Sequence, residues 1–132
     1  MPFQPDRLAR VLVVDDDPAL RNMLTLLLEQ EGFEPRAVAD VDQALACLAC
    51  DTIDAVVTDL IMPCRSGLVL LAEIQGRHPH VPVIALTGSE SPALREAALV
   101  LGARMVLRKP FGLPALVELL GQMTRDAARA RL

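Results

Sequence analysis

The sequence predicts a doubly wound α/β domain: a five-stranded parallel sheet, order 2-1-3-4-5, with five helices on its two faces. Three observations carry that expectation. Short β-branched runs alternate five times with longer runs whose apolar residues recur at helical spacing. Single helices between successive strands make the strands parallel, with right-handed crossovers. The chain has 132 residues, 52% of them apolar, which suffices for one core without disulfides or a structural metal. At this length the expected strand order is 2-1-3-4-5.

Arg10 to Val14, the first element, is a continuous apolar run, as in a strand buried on both faces. Asp17-Pro18 reads as an N-cap and a proline at the first helical position. Leu20, Leu24, Leu27 and Leu28 form the stripe of that helix, and Gly32 ends it. Phe33 to Ala39 is the second strand, irregular at Pro35. Asp42 to Cys50 is the second helix, with Ala44, Leu45 and Leu48 inward. Ile53 to Thr58 is the third strand and Leu68 to His78 the third helix. Val81 to Leu86 is the fourth strand. Ser91-Pro92 opens the fourth helix, with Leu94, Ala97, Ala98 and Leu101 at i, i+3, i+4 and i+7 and Gly102 at its end. Met105 to Leu107 is a short fifth strand. Leu113 to about Arg129 is the last helix, with Leu116, Val117, Leu120 and Met123 as its stripe.

Composition excludes several classes of function. There are 13 Lys+Arg against 17 Asp+Glu, a net charge of −4, so direct binding of nucleic acid by this domain is not expected. Aromatic residues are 2%, with no Trp and no Tyr, which removes base-stacking platforms. No apolar run approaches the roughly 18 residues of a membrane span. The apolar stretch after Arg7 and Arg10 is too short for a secretory signal. Three cysteines without an export signal read as reduced thiols in a cytoplasm. Cys47 and Cys50 form a C-x-x-C pattern at the far end of a helix, where no dipole activates a thiol, and read as packing or surface residues. His78-Pro79-His80 reads as a solvated connection.

The polar residues at the strand ends are more informative. Strand one runs into Asp15-Asp16-Asp17, strand three into Asp59, strand four into Thr87-Gly88-Ser89, and strand five into Arg108-Lys109-Pro110. In an open parallel sheet the carboxyl ends of the strands form the ligand crevice, beside the point where strand order reverses. Clustered carboxylates repel unless a cation sits among them. Hard oxygen ligands with room for water suit Mg²⁺. Lys109 adds a fixed positive charge and Thr87 a hydroxyl donor. Such a site suits a phosphoryl group, attacked in line by a carboxylate. The plainer alternative is an acidic loop that caps a helix. It accounts for Asp17, and leaves Asp15 and Asp16 over.

At this point the chain resembles the receiver domain of bacterial two-component response regulators, of the chemotaxis-regulator type with a flavodoxin-like fold. The matching stretches are V-L-V-V-D-D-D-P (Val11 to Pro18), D-A-V-V-T-D-L-I-M-P-C-R-S-G (Asp54 to Gly67), P-V-I-A-L-T-G (Pro82 to Gly88) and L-R-K-P-F (Leu107 to Phe111). The resemblance implies a receiver domain over residues 7–125, an N-terminal tail over 1–6 and a helix end over 126–132. It implies that Asp59 accepts a phosphoryl group from a histidine kinase or histidine phosphotransfer protein. Asp15, Asp16 and Asp59, with the backbone carbonyl of Ile61, would hold Mg²⁺. Thr87 would bond a phosphoryl oxygen and shift, Lys109 would pair with the phosphoryl group, and the Lys109–Pro110 peptide would be cis. The domain would be a switch that assists its own phosphorylation and dephosphorylation, not a turnover enzyme, and would signal to a protein partner or a second copy.

Two departures from the family pattern stand out. Val106 occupies the place of the aromatic that turns inward on activation. Ile61 and Ser89 stand where polar residues often affect hydrolysis of the acyl phosphate, and an apolar Ile61 offers no group to orient water. Leu99 and Val100 lie outside the inward stripe of the fourth helix, and an exposed apolar patch of Leu99, Val100 and Val106 is expected. Two other readings remain: a pseudo-receiver acting only as an interaction module, and the receiver part of a longer DNA-binding regulator with Arg125, Arg129 and Arg131 leading to its output domain. An aspartyl-phosphate phosphatase would place a second aspartate two residues after the nucleophile, where Ile61 stands.

Overall fold

The computed structural model describes residues 8–130, with the side chains of residues 8–125. The expected tail over 1–6, and the side chains of Arg129 and Arg131, lie outside the described residues. The element order is β1 (Arg10–Val14), α1 (Pro18–Gln30), β2 (Glu34–Val38), α2 (Val41–Cys50), β3 (Ala55–Asp59), α3 (Gly67–Arg77), β4 (Val83–Thr87), α4 (Pro92–Val100), β5 (Met105–Arg108) and α5 (Leu113–Ala130). The strands pair in parallel in the order β2-β1-β3-β4-β5, as the alternation of elements predicts.

Alternate side chains of β1 feed opposite faces of the sheet. Val11 and Val13 join Leu24 and Leu28 of α1 and Leu116, Leu120 and Met123 of α5. Leu12 and Val14 join Ala44 and Leu48 of α2, Leu70, Leu71 and Ile74 of α3, and Ala98 of α4. Burial on both sides explains why the central strands read as unbroken apolar runs. β2 is an edge strand, and there Pro35 is tolerated because a missing N–H breaks no interior ladder.

Several element ends differ from the expected ones. β3 and β4 each run one residue farther, to Asp59 and Thr87, so these polar side chains belong to the strands themselves. α2 starts at Val41 with Asp40 as its cap, not at Asp42. Asp40 accepts from Gln43 N–H at 2.8 Å, and the Gln43 side chain accepts from Ala39 N–H at 2.9 Å. That reciprocal pair is the D-x-x-Q signature of a helix start. Asp17, Ser66 and Ser91 cap α1, α3 and α4. Gly32 and Gly102 end α1 and α4 with φ of +87° and +108°, where a side chain would be strained.

The expected apolar patch is only partly present. Leu99 and Val100 are exposed, but Val106 is buried at 3% exposure. It packs with Ala85 and Ala98 in the core under α4. β5 turns that side chain inward, because a central position of the strand faces the helix layer.

The loop after β3 returns tightly onto the strand end. Gly67 N–H donates to Leu60 carbonyl at 2.9 Å, and Ser66 Oγ donates to the same oxygen at 3.2 Å. A Cβ on Gly67 would lie 2.2 Å from the carbonyl oxygen of Asp59 and 2.8 Å from Leu60 Cα. Backbone cannot yield as a flexible side chain would. Gly67→Ala is therefore expected to lower stability by about 2–4 kcal/mol in urea unfolding. Gly76→Ala, in α3 with open space around it, is expected to be neutral or to stabilise by up to about 1 kcal/mol.

Candidate functional site

Strand register brings the site together. Val14 pairs with Thr58, so the next residues, Asp15 and Asp59, stand level at the ends of β1 and β3. Asp59 pairs with Leu86, which sets Thr87 one residue beyond it on β4. Thr87 pairs with Arg108, and Lys109 N–H donates to the Thr87 carbonyl at 2.8 Å. Asp15 N–H donates to Val38 and Leu60 N–H to Leu86, which extends the ladders to the rim. The Lys109–Pro110 peptide is cis, as expected.

The three successive aspartates do three different jobs. Asp15 is 1% exposed, and its Oδ1 accepts from Asp17 N–H at 2.9 Å. Its carbonyl accepts from the Arg21 guanidinium at 2.8 Å. Asp16 is exposed at the rim. Asp17 turns away and caps α1 through Ala19 N–H at 3.0 Å. Carboxylate oxygens of Asp15, Asp16 and Asp59 lie within 4.8 Å of one another, the one group of three candidate metal-ligating side chains among the described residues.

Lys109 crosses this cluster. Its Nζ donates to Asp59 Oδ2 at 3.0 Å and to Asp15 Oδ2 at 3.2 Å. Asp59 Oδ1 accepts from Ile61 N–H at 3.3 Å. Burial works to lower the Lys109 pKa, but its hydrogen bonds and Coulomb attraction to Asp59, then Asp15, outweigh it, and the net shift is upward. The ammonium group is therefore charged at neutral pH. Asp15 is pushed up, chiefly by burial and slightly by Asp59, against the bonds from Asp17 and Lys109. One ammonium thus does not satisfy three carboxylates, and the donor set fits a small hard cation. Oxygen ligands that are partly buried on one side and open to water on the other suit Mg²⁺. Asp15, Asp16 and Asp59 form the acidic cluster that could bind a metal ion.

Thr87 is buried at 4% exposure, and its Oγ1 accepts from Ser89 N–H at 3.0 Å. The Ile61 side chain is 60% exposed beside Asp59. Asp15, Asp16, Asp59 and Lys109 are thus brought together, Thr87 ends the neighbouring strand, and Asp17 and Arg108 turn to other partners. The Ser66-Gly67 pair, read from the sequence as closing the loop after the third strand, holds the loop behind Asp59, whereas sequence reasoning missed Arg21, which holds the Asp15 carbonyl and which nothing local marks. The cysteines stand apart. Cys47 is half-buried, and burial, then Asp51, pushes its thiol pKa up, which makes it unreactive.

A doubly wound parallel sheet whose switch point carries an acid cluster bridged by lysine is the arrangement of receiver domains. The family model for the response regulator receiver domain matches residues 11–121. The chain belongs to that family and is a receiver domain of two-component systems. The response regulator MprA of Mycobacterium tuberculosis (strain H37Rv) is 40% identical over 114 residues, covering 86% of this chain and 48% of that protein. The chain spans about half the length of the curated relatives it matches. A CheY-like receiver domain protein from Methanospirillum hungatei superposes with TM-score 0.89 at 27% identity, covering 94% of this chain and 99% of the other. The signal receiver domain of an HD domain-containing protein from Pseudomonas fluorescens gives 0.90 at 28% identity, covering 97% and 95%. No helix among the described residues is long and apolar enough to cross a membrane.

The cluster predicts its own stability behaviour. Because the folded-state pKa of Asp15 is raised, the folded protein holds that proton more tightly than the unfolded chain. This contribution favours folding in acid and is lost as pH rises through the raised value. Asp15→Asn is expected to raise the melting midpoint of the metal-free protein at pH 7 by roughly 3 °C. The advantage should shrink as pH falls through the raised Asp15 value and be gone below about pH 4, where the carboxyl is neutral in the folded and unfolded chains alike. Calorimetry across that pH range in chelator measures it.

Proposed function

We propose that the domain is a phosphoacceptor switch in which Asp59 takes a phosphoryl group from the phosphohistidine of a kinase or histidine phosphotransfer protein. The observation that carries this reading is the Lys109 ammonium lying within hydrogen-bond distance of both Asp59 and Asp15, with Asp16 completing the acid cluster. An Asp59 oxygen attacks phosphorus, the N–P bond breaks, and the imidazole leaves and takes up a proton. Asp15, Asp16 and Asp59, with the carbonyl of Ile61, would hold Mg²⁺, which when bound would supply charge neutralisation for the phosphoryl oxygens. Lys109 neutralises a second oxygen, and Thr87 donates a hydrogen bond to a third. Protein and metal only position and neutralise, as phosphoryl transfer requires.

The functional unit in this reading is residues 7–125, working in the cytoplasm and signalling to a protein partner or a second copy. It assists its own phosphorylation and dephosphorylation without turning over a substrate. The greater length of the mycobacterial relatives supports a second reading, in which the same switch acts on an output segment of a longer chain. The chemistry at Asp59 is identical in both.

Intact-mass measurement after exposure to acetyl phosphate and Mg²⁺ is the direct test. One base-labile phosphoryl group is expected on the native protein and none on Asp59→Asn. EDTA should stop labelling, and Asp16→Ala should raise the Mg²⁺ requirement at least about tenfold. Full labelling of Asp59→Asn overturns the assignment.

Ile61 predicts a long-lived product. Its exposed side chain carries no group that orients water against the acyl phosphate. Ile61→Asn is expected to speed decay several-fold, read as loss of phosphoryl mass with time after donor removal. Equal decay removes Ile61 from the mechanism.

A further inference from the structure

Every polar atom of Asp15 has a partner, and the partners come from separate elements. Its N–H donates to the Val38 carbonyl of β2 at 3.2 Å. Oδ1 accepts from Asp17 N–H, and Oδ2 from the Lys109 ammonium beyond β5. The carbonyl accepts from the Arg21 guanidinium, which reaches back from α1 at 2.8 Å. Asp16 is held differently. It is exposed and lies past the end of β1, beyond the ladder. What aims it is the peptide that joins it to Asp15. That unit is planar, so its carbonyl, its N–H and the Asp16 Cα turn together. The Arg21 bond holds this plane by its oxygen.

Arg21 is an unexpected residue for its place. α1 carries no acidic residue in its first turn, and Arg21 N–H donates to the Asp17 carbonyl at 3.0 Å as the helix begins. A cation there faces the positive pole of the helix. Side chains on a helix lean toward its N-terminus, which lets this one reach the loop before it. The guanidinium bonds a main-chain oxygen and, among the described residues, forms no ion pair with the carboxylates beside it. That leaves the carboxylate oxygens of the cluster to Lys109 and to a metal ion.

We propose that Arg21 is a positioning residue for the acid cluster: by clamping the Asp15–Asp16 peptide it aims the exposed Asp16 carboxylate at the point shared with Asp15 and Asp59. The inference rests on the reading of that cluster as the metal site of the acceptor reaction. Asp15 and Asp59 are aimed by strand pairing and by Lys109, and do not depend on Arg21. With the clamp closed, carboxylate oxygens of all three lie within 4.8 Å of one another. Charge and position act in opposite directions when Arg21 is removed. Loss of a positive charge beside the cluster favours a bound cation, whereas loss of the clamp disfavours it. A weaker metal site in the absence of Arg21 therefore comes from position.

The test is binding of Mn²⁺, a probe that takes the same hard oxygen ligands, to metal-stripped protein without phosphodonor. Free Mn²⁺ is read by electron paramagnetic resonance. Arg21→Ala is expected to weaken binding about tenfold, and Asp16→Ala to weaken it at least as much. In the Asp16→Ala background, Arg21→Ala should cost less than about twofold more, since no carboxylate remains to be aimed. Arg95→Ala removes a matching guanidinium–carbonyl bond, to Val106 at 3.1 Å, away from the cluster. It should leave Mn²⁺ affinity within about twofold of native, whereas a general loosening of the fold, followed as the melting midpoint in chelator, would be shared by both arginine variants. Unchanged or tighter binding by Arg21→Ala overturns the clamp. So does a tenfold effect of Arg21→Ala that persists in the Asp16→Ala background. Either result leaves the metal site standing. Absence of Mn²⁺ binding by the native protein overturns the metal reading of the cluster together with the clamp.

Discussion

The Lys109 ammonium reaches Asp15 and Asp59 from the end of β5, and the whole carboxyl edge of the sheet is arranged around that bridge. The two carboxylates end strands that pair directly, so they meet whether or not their charges favour it. Only one cation among the described side chains touches both. Burial keeps that ion pair out of bulk water, where it would be weak. The negative charge that remains makes the edge an acidic cluster of the kind that could bind a metal ion.

Around this bridge the chain is built stiffly on one side and loosely on the other. Behind Asp59 the loop is locked, since Gly67 sits against the strand backbone and Ser66 bonds the Leu60 carbonyl. Beyond Thr87 the connection is held by hydroxyl caps and leads to a helix with a single buried residue. A phosphoryl group at Asp59 would therefore find little that yields at α3 and much that yields at α4. Rigid positioning of Asp59 and compliance at α4 are compatible because they lie on neighbouring loops of one sheet.

The two family departures act at different places. Ile61 stands in the site, where its exposed apolar side chain faces the acceptor without a polar group. Val106 stands behind it, buried in the layer beneath α4. The first lies at the acid cluster, and the second in the core beneath α4. Neither side chain takes part in the bridge of Asp15, Asp59 and Lys109, although Ile61 N–H donates to Asp59 Oδ1.

Much was legible in the order of residues. Runs such as Val11 to Val14, the caps Asp17 and Ser91, and the glycines at helix ends mark the elements, because hydrophobic periodicity and capping are local properties. The convergence of Asp15, Asp16, Asp59, Thr87 and Lys109 was also legible, because a parallel sheet brings the carboxyl ends of its strands to one edge. Other features depended on which neighbour each side chain met. Val106 was expected at the surface and is buried, since its direction depends on strand pairing and not on its own sequence context. The D-x-x-Q cap of α2 was local and visible, yet Asp42 also looked like a start. The division of labour among Asp15, Asp16 and Asp17 was foreseen for Asp17 alone. What separates Asp15 from Asp16 is the adjoining end of β3 and the reach of Lys109. The sequence by itself determined the elements and the set of groups at the rim, whereas tertiary structure decided which were buried, bridged or left to water, because burial and ion pairing depend on strands 50 and 94 residues apart.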